Sequence, residues 1–281
     1  MLRYLFISLQ GRKEMKLEAG VLAILLVLAL SVPVLASPQE EPFPASWMGK
    51  HKMVDRFGNL TRVVLVRYVG EERFSEPSGV VTLPDNENQA YALLGCFWNL
   101  SNYPAGVPYL INPSTAVKSY GLKEEEVVAA IRRAFENWDE AVGVELYNDS
   151  PRVNLRAKAS TGWPDRRNVV TWGRLRKGVV AVTYLWYLTD TGELVDADIV
   201  FNSYYRWGID PDGEGSDYQL TGAFDLQDIA THEVGHFTGL DDLYNDNYWA
   251  MTMYGYADFG ETYKISLERG DVAGARAIYC N

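Results

Sequence analysis

Histidine and cysteine are the scarce side chains of this 281-residue chain, with three of the first and two of the second. Cys96 and Cys280 allow one disulfide at most. Of the histidines, His51 stands far upstream, and only His232 and His236 are close neighbours in sequence. Basic residues are also short: 26 Lys and Arg against 37 Asp and Glu leave a formal net charge of −11, which argues against a nucleic-acid partner. Long apolar runs are limited to one, residues 21–36. What the chain has in quantity is core material, since 47% hydrophobic and 13% aromatic residues suffice for one large globular domain or two small ones.

The apolar run follows Lys13 and Lys16 and ends on Val34-Leu35-Ala36, a small-residue cleavage pattern. Residues 1–36 therefore read as a secretory signal peptide, with Met15 as a second candidate initiator. The competing reading is a retained N-terminal anchor, for which the run is slightly short, so membrane association is expected only if the segment is kept. Without residues 1–36 the chain carries 22 basic against 35 acidic side chains. In the oxidising compartment this implies, Cys96 and Cys280 are expected to pair, closing a loop worth roughly 4 kcal/mol or more in the chain-entropy model. Asn59, Asn99 and Asn148 each open an N-x-S/T sequon, which fits an exported surface.

The decisive stretch is residues 231–242, T-H-E-V-G-H-F-T-G-L-D-D. His232 and His236 are four apart, so on a helix they project from one face and suit two nitrogen ligands of one zinc ion. Glu233 beside them is placed to take a proton from a metal-bound water. Gly239 can end the helix in a left-handed cap and turn the chain back toward the metal. With no third histidine nearby, a tripodal site needs a carboxylate, and Asp242 is in frame for it, with Asp241 outside the ligand set.

The pattern H-E-x-x-H-x-x-G-x-x-D resembles the metzincin zinc signature, with aspartate where the third ligand is usually histidine. Further segments resemble those of matrixins: 134–138 (A-F-E-N-W), 197–202 (A-D-I-V-F-N), 227–231 (Q-D-I-A-T) and 271–274 (D-V-A-G). The resemblance spans residues 91–281. It implies a zinc-dependent endopeptidase acting on protein or peptide substrates, with His232, His236 and Asp242 as zinc ligands and Glu233 as general base. It also implies a methionine turn under the metal, for which Met253 in Met251-Thr252-Met253-Tyr254 is the candidate. The expected peptide-binding edge is residues 179–187, with Tyr244, Trp249 and Tyr254 as candidate pocket walls. Cys96 lacks the proline, arginine and aspartate context of a matrixin propeptide cysteine. The family's usual structural zinc needs several histidines that this chain does not have.

Around the motif, residues 123–142 form a strong helical pattern with Val127, Ile131, Ala134, Phe135, Trp138 and Val142 on one stripe. Short β-rich runs follow at 144–147, 153–159, 169–174, 179–187 and 196–201, then helices at about 225–240 and 267–279. The expected architecture is α+β: a twisted mixed sheet with three main helices, the zinc site on the second and the methionine turn beneath it. Three segments are expected: 1–36 signal peptide, 37–90 an N-terminal extension that is either a propeptide or an extra β-layer, and 91–281 the catalytic domain. In the extension, 63–69 and 80–83 read as strands. Asp210, Asp212, Glu214 and Asp217 lie in an acidic glycine-rich loop that reads either as a calcium site or as a solvated loop. A secreted monomer is expected. Two other readings stay open: a zinc peptidase of another clan with Glu261 or Glu268 as acidic ligand, and a secreted zinc-containing binding protein.

Overall fold

The computed structural model describes residues 49–53, 60–69, 91–211, 213–214 and 220–280. The signal-peptide reading of 1–36, the expected strand at 80–83, Asn59, Asp212 and Asp217 lie outside the described residues.

The longest helix and the longest strands form where the apolar pattern is strongest. Helix α2 (Glu124–Val142) carries three glutamates in its first turn, favourable at a helix N-terminus, and buries Val127, Ile131, Ala134, Phe135, Trp138 and Val142. Gly143 ends it with a left-handed φ of 73°. It is preceded by a short helix, α1 (Ser114–Tyr120), that the sequence pattern does not announce.

The strands are β1 (Gly49–Met53), β2 (Leu60–Val69), β3 (Ala92–Leu93), β4 (Leu110–Ile111), β5 (Arg152–Val153), β6 (Val169–Gly173), β7 (Val179–Leu188), β8 (Leu194–Asn202), β9 (Trp207–Gly208), β10 (Phe224–Asp225), β11 (Leu240–Asp241) and β12 (Tyr256–Ala257). Seven of them follow the order β1-β2-β7-β8-β6-β4-β5 in one mixed sheet, and β12 joins it beside β2. The pairs β4–β5, β4–β6 and β6–β8 are parallel, whereas β7 is antiparallel to both β8 and β2. Residues 144–147 contribute only an isolated bridge between Val107 and Tyr147, and the expected strand at 153–159 shortens to β5.

This topology corrects one expectation. Strand β7 is not an exposed edge, because β2 pairs with it antiparallel from Leu60↔Leu188 to Tyr68↔Val179. All residues of β7 from Val179 to Tyr187 are buried. Continuous burial of this kind belongs to a strand covered on both faces, which is why the segment is apolar throughout rather than alternating. Two strands from the 37–90 extension thus belong to the same sheet as residues 91–281.

One face of the sheet packs against α2, α3 (Leu226–Thr238) and α4 (Arg269–Tyr279) to form the main core, which includes Trp98, Phe135, Trp138, Phe237 and Met253. The other face carries a smaller apolar cluster centred on Val64, Val182, Tyr184, Trp186 and Val200. The described residues thus hold four α-helices, one more than the three main ones expected.

Candidate active site

Helix α3 is buried nearly all round, which fits its position between α2 and the sheet. Asp225 caps its start, its Oδ1 accepting from the Asp228 amide at 2.8 Å. Gly239 ends it at φ 115°, and its amide donates to the Gly235 and His236 carbonyls. A Cβ at Gly239 would stand 2.4 Å from the Cys96 carbonyl oxygen, so only glycine fits this turn. The chain then reverses through β11, which pairs with β3, and delivers Asp242 to the face of α3 that carries the two histidines.

There Asp242 Oδ1 stands 3.2 Å from His232 Nε2 and 3.5 Å from His236 Nε2. The two rings are nearly perpendicular, at 89°, with centroids 4.6 Å apart. Ligands about 2.0 Å from a tetrahedral zinc ion are separated by roughly 3.3 Å, so the spacing of the three atoms matches such a centre. The Nδ1 atoms face backbone carbonyls, His232 to Thr252 O at 2.7 Å and His236 to Leu240 O at 2.9 Å. With the proton on Nδ1, each Nε2 presents its lone pair to the centre. All three side chains are buried, and the trio could hold a metal ion.

The charge balance fits the same purpose. Burial pulls the His236 ring down, but the Asp242 carboxylate outweighs it and raises the pKa to about 9. Burial pushes Asp242 up, yet His236 and His232 hold it well below the usual carboxylate range. Its second oxygen accepts from the Tyr244 hydroxyl at 3.0 Å, leaving Oδ1 turned toward the rings. Asp241, partly exposed, accepts from the Asp242 amide at 2.9 Å and stays outside the trio.

Glu233 is fully buried on α3 beside His232. Its Oε2 accepts from the Thr183 hydroxyl on β7 at 2.5 Å. Thr183, the only non-aromatic polar side chain among the buried residues of β7, thus faces the Glu233 carboxylate, and its place in a run of aliphatic and aromatic residues was the available sequence signal. Beneath the trio, Met253 is almost fully buried and packs on Gly235 of α3, where a Cβ would meet Sδ at 2.1 Å. Asp271 of α4 secures this turn by accepting from the Thr252 amide at 3.0 Å and the Met253 amide at 3.2 Å. Because the Thr252 carbonyl in turn faces His232, a carboxylate on the last helix is connected to the site through the turn. Asp271 had stood out in the sequence only as part of D-V-A-G.

The matrixin family profile matches residues 106–280. The chain belongs to the matrixin family. No curated protein matches it. Membership makes this matrixin a zinc-dependent metalloendopeptidase acting on protein or peptide substrates.

The remaining expectations divide. In this matrixin Glu261 pairs with the buried Lys264, and Glu268 forms a capping box with Asp271 at the start of α4, so neither acidic residue joins the histidines. Cys96 and Cys280 are free thiols, contrary to the expected disulfide. Cys96 is buried against the Gly239 turn, whereas Cys280 follows α4 and its Sγ donates to the Val142 carbonyl at 3.5 Å. The calcium reading gains no support: Asp210 donates its amide to Asp225 Oδ2, Glu214 is exposed, and no metal-capable cluster among the described residues includes either. Of the aromatic candidates, Tyr244 holds Asp242, Tyr254 donates to Asp246 at 2.9 Å, and Trp249 packs on Tyr263. Among the described residues no helix is long and apolar enough to cross a membrane.

Proposed function

We propose that this matrixin is an exported endopeptidase in which His232, His236 and Asp242 hold the zinc ion and Glu233 is the general base. The observation that carries the reading is the position of one Asp242 oxygen between both imidazole nitrogens, at 3.2 and 3.5 Å. Zinc at such a site supplies a Lewis acid for the scissile carbonyl and lowers the pKa of water beside it. Glu233 takes the proton of the attacking water as its oxygen joins the carbonyl carbon, then gives that proton to the leaving nitrogen as the C–N bond breaks. Thr183, through its hydrogen bond to Oε2, keeps the carboxylate from rotating. Met253 floors the site, and burial of its surroundings excludes bulk water from the histidines. Export is supported by the apolar run ending in small residues at 34–36.

The test is zinc content and peptide hydrolysis for the parent and Glu233→Ala. Equal zinc, with hydrolysis reduced by about 10²–10⁴-fold in the variant, is expected. Hydrolysis undiminished in Glu233→Ala refutes the assignment of the base. Loss of zinc on Asp242→Ala is the companion expectation, and full zinc retention there removes Asp242 from the ligand set.

A further inference from the structure

We propose that a cavity at the β5 edge of the sheet, lined by Arg152, Arg166 and Arg167, is an exosite that binds an acidic segment of the protein substrate. This deepens the peptidase reading above and rests on it. The cavity measures about 340 Å³ and opens beside the starts of β4, β5 and β6, with Asn148, Ser150 and Asn168 also in its wall. All three arginines are exposed. Among the described residues none of their guanidinium groups has an ion-pair or hydrogen-bond partner. Three like charges around one cavity repel each other, and a chain with 37 acidic residues leaves them without a carboxylate. Their acidic neighbours in sequence are engaged elsewhere: Asp165 accepts from the Arg167 amide at 3.0 Å, and Asp149 groups with Glu136 and Asp139.

Two buried carboxylates of β8 hold the loop that carries Arg166 and Arg167. Asp198 accepts from the Ser160 amide at 2.7 Å and the Val169 amide at 2.8 Å, which fixes both ends. Asp196 accepts from the Asp165 amide at 2.6 Å, and the Arg166 and Arg167 amides also turn to it. Arg166 is thereby kept at φ 59°, the one left-handed non-glycine among the described residues. Such strain persists only where the surroundings impose it, and here it sets a long cationic side chain in the cavity wall. A guanidinium fork takes a carboxylate bidentately, and a cavity of this size has room for more than one side chain. Strand β5 ends the sheet order, with no strand on its outer side among the described residues, so an extended segment can approach. The sheet also sets the distance. Thr183, Ile199, Val170, Ile111 and Val153 form one row across β7, β8, β6, β4 and β5, so Arg152 lies four strand spacings, roughly 19 Å, from the strand that holds Glu233. The acidic segment must therefore stand at least about six extended residues from the scissile bond.

The experiment compares three zinc-loaded full-length proteins: the parent, the double variant Arg152→Glu/Arg167→Glu, and Arg166→Gly. Glycine accepts the left-handed backbone at 166, so this variant loses the guanidinium, keeps the loop and covers the case in which the double variant unfolds. Melting curves verify folding. Binding of fluorescein-labelled hexaglutamate is read by anisotropy in the Glu233→Ala background, where the peptide stays intact. Hydrolysis is read with a neutral fluorogenic peptide, its cleaved bond located by mass spectrometry, and with the same peptide carrying a run of glutamates about two or about ten residues from that bond. The expected result is hexaglutamate binding at least about ten-fold weaker in the folded variants, with neutral-peptide hydrolysis unchanged. In the parent the distant glutamate run should lower KM by about ten-fold, the near run should not, and the variants should lose the gain. Hexaglutamate bound equally by all three, or by none while a sulfated oligosaccharide is retained or not, overturns the proposal and leaves the peptidase reading intact. Weaker binding in the variants with no KM gain from the distant run overturns the exosite as well. If no form hydrolyses any of the peptides, binding decides: its loss in the variants upholds the acidic-segment site while the peptidase reading falls, and equal or absent binding overturns both.

Discussion

Replacing Gly235 with alanine adds one methyl group in the most crowded part of the metal helix. The new Cβ would sit 2.1 Å from Met253 Sδ, 2.7 Å from Trp138 Cζ2 and 3.1 Å from Met253 Cε. Neither neighbour has free space: both side chains are buried, and the Trp138 indole is tethered to the Thr231 carbonyl by a 2.9 Å hydrogen bond. Two such contacts place the cost near the upper end of the overpacking range, about 3 kcal/mol. Alanine returns about 1 kcal/mol through better helix propensity. The net loss is about 2 kcal/mol, and at roughly 2–4 °C per kcal/mol for a domain of this size the melting point falls by ~4–8 °C. Displacing Met253 also shifts the adjoining Thr252 carbonyl that orients His232, so zinc affinity drops by about ten-fold or more. Thermal melts and competition with a chromophoric chelator measure both effects in Gly235→Ala, Met253→Ala and the double variant. The alanine should cost less in the Met253→Ala background, where the sulfur is gone and only Trp138 resists it. A Gly235→Ala protein that melts within about 1 °C of the parent and holds zinc equally well refutes the packing argument.

Three further outcomes are expected. Thr183→Val should lower kcat by about ten-fold or more with little change in KM, and Thr183→Ser should restore it, since the charged-acceptor hydrogen bond is what positions Glu233. Unchanged kcat in the valine variant removes Thr183 from the machinery. Burial lowers the His236 pKa but Asp242 raises it further, to about 9, so the metal-free ring is protonated at pH 7 and zinc loading should release about one proton. Calorimetry in two buffers of different ionisation enthalpy counts that proton, and a count near zero contradicts the assignment. Burial raises the Asp139 and Asp198 carboxyls to about 8. A raised carboxyl contributes stability that is fully present below its unfolded pKa and is lost as pH rises through the folded one. The metal-free chain should therefore melt lower at pH 8 than at pH 5, and an equal or higher melting point at pH 8 would count against the buried, protonated carboxyls.

Much of the site was legible because its signals are local. The four-residue histidine spacing and the Gly239 stop place α3 within two residues of its observed ends, and Asp242 follows from the turn that stop enforces. Helix α2 was legible from its apolar stripe. Helix α1 was not, because seven residues burying only Ala116 show no period. The neighbour of β7 was illegible for a different reason: β2 precedes it by more than a hundred residues, and nothing local in an apolar strand names its partner. The resemblance placed an exposed edge at 179–187, whereas the structure buries all nine of those residues. Cysteine parity likewise suggested a bond that is not made: Cys96 is buried, whereas Cys280 is exposed and donates its Sγ to the Val142 carbonyl.

The pairing of β2 with β7 also sets an order of events during synthesis. At about 5–20 residues per second, roughly 5–20 s separate the emergence of the two strands from the ribosome. The covering strand is the older of the two, so β7 never waits for it. A bare sheet edge invites pairing between nascent chains on neighbouring ribosomes. In this chain the residues that close that edge are already made when the edge first appears.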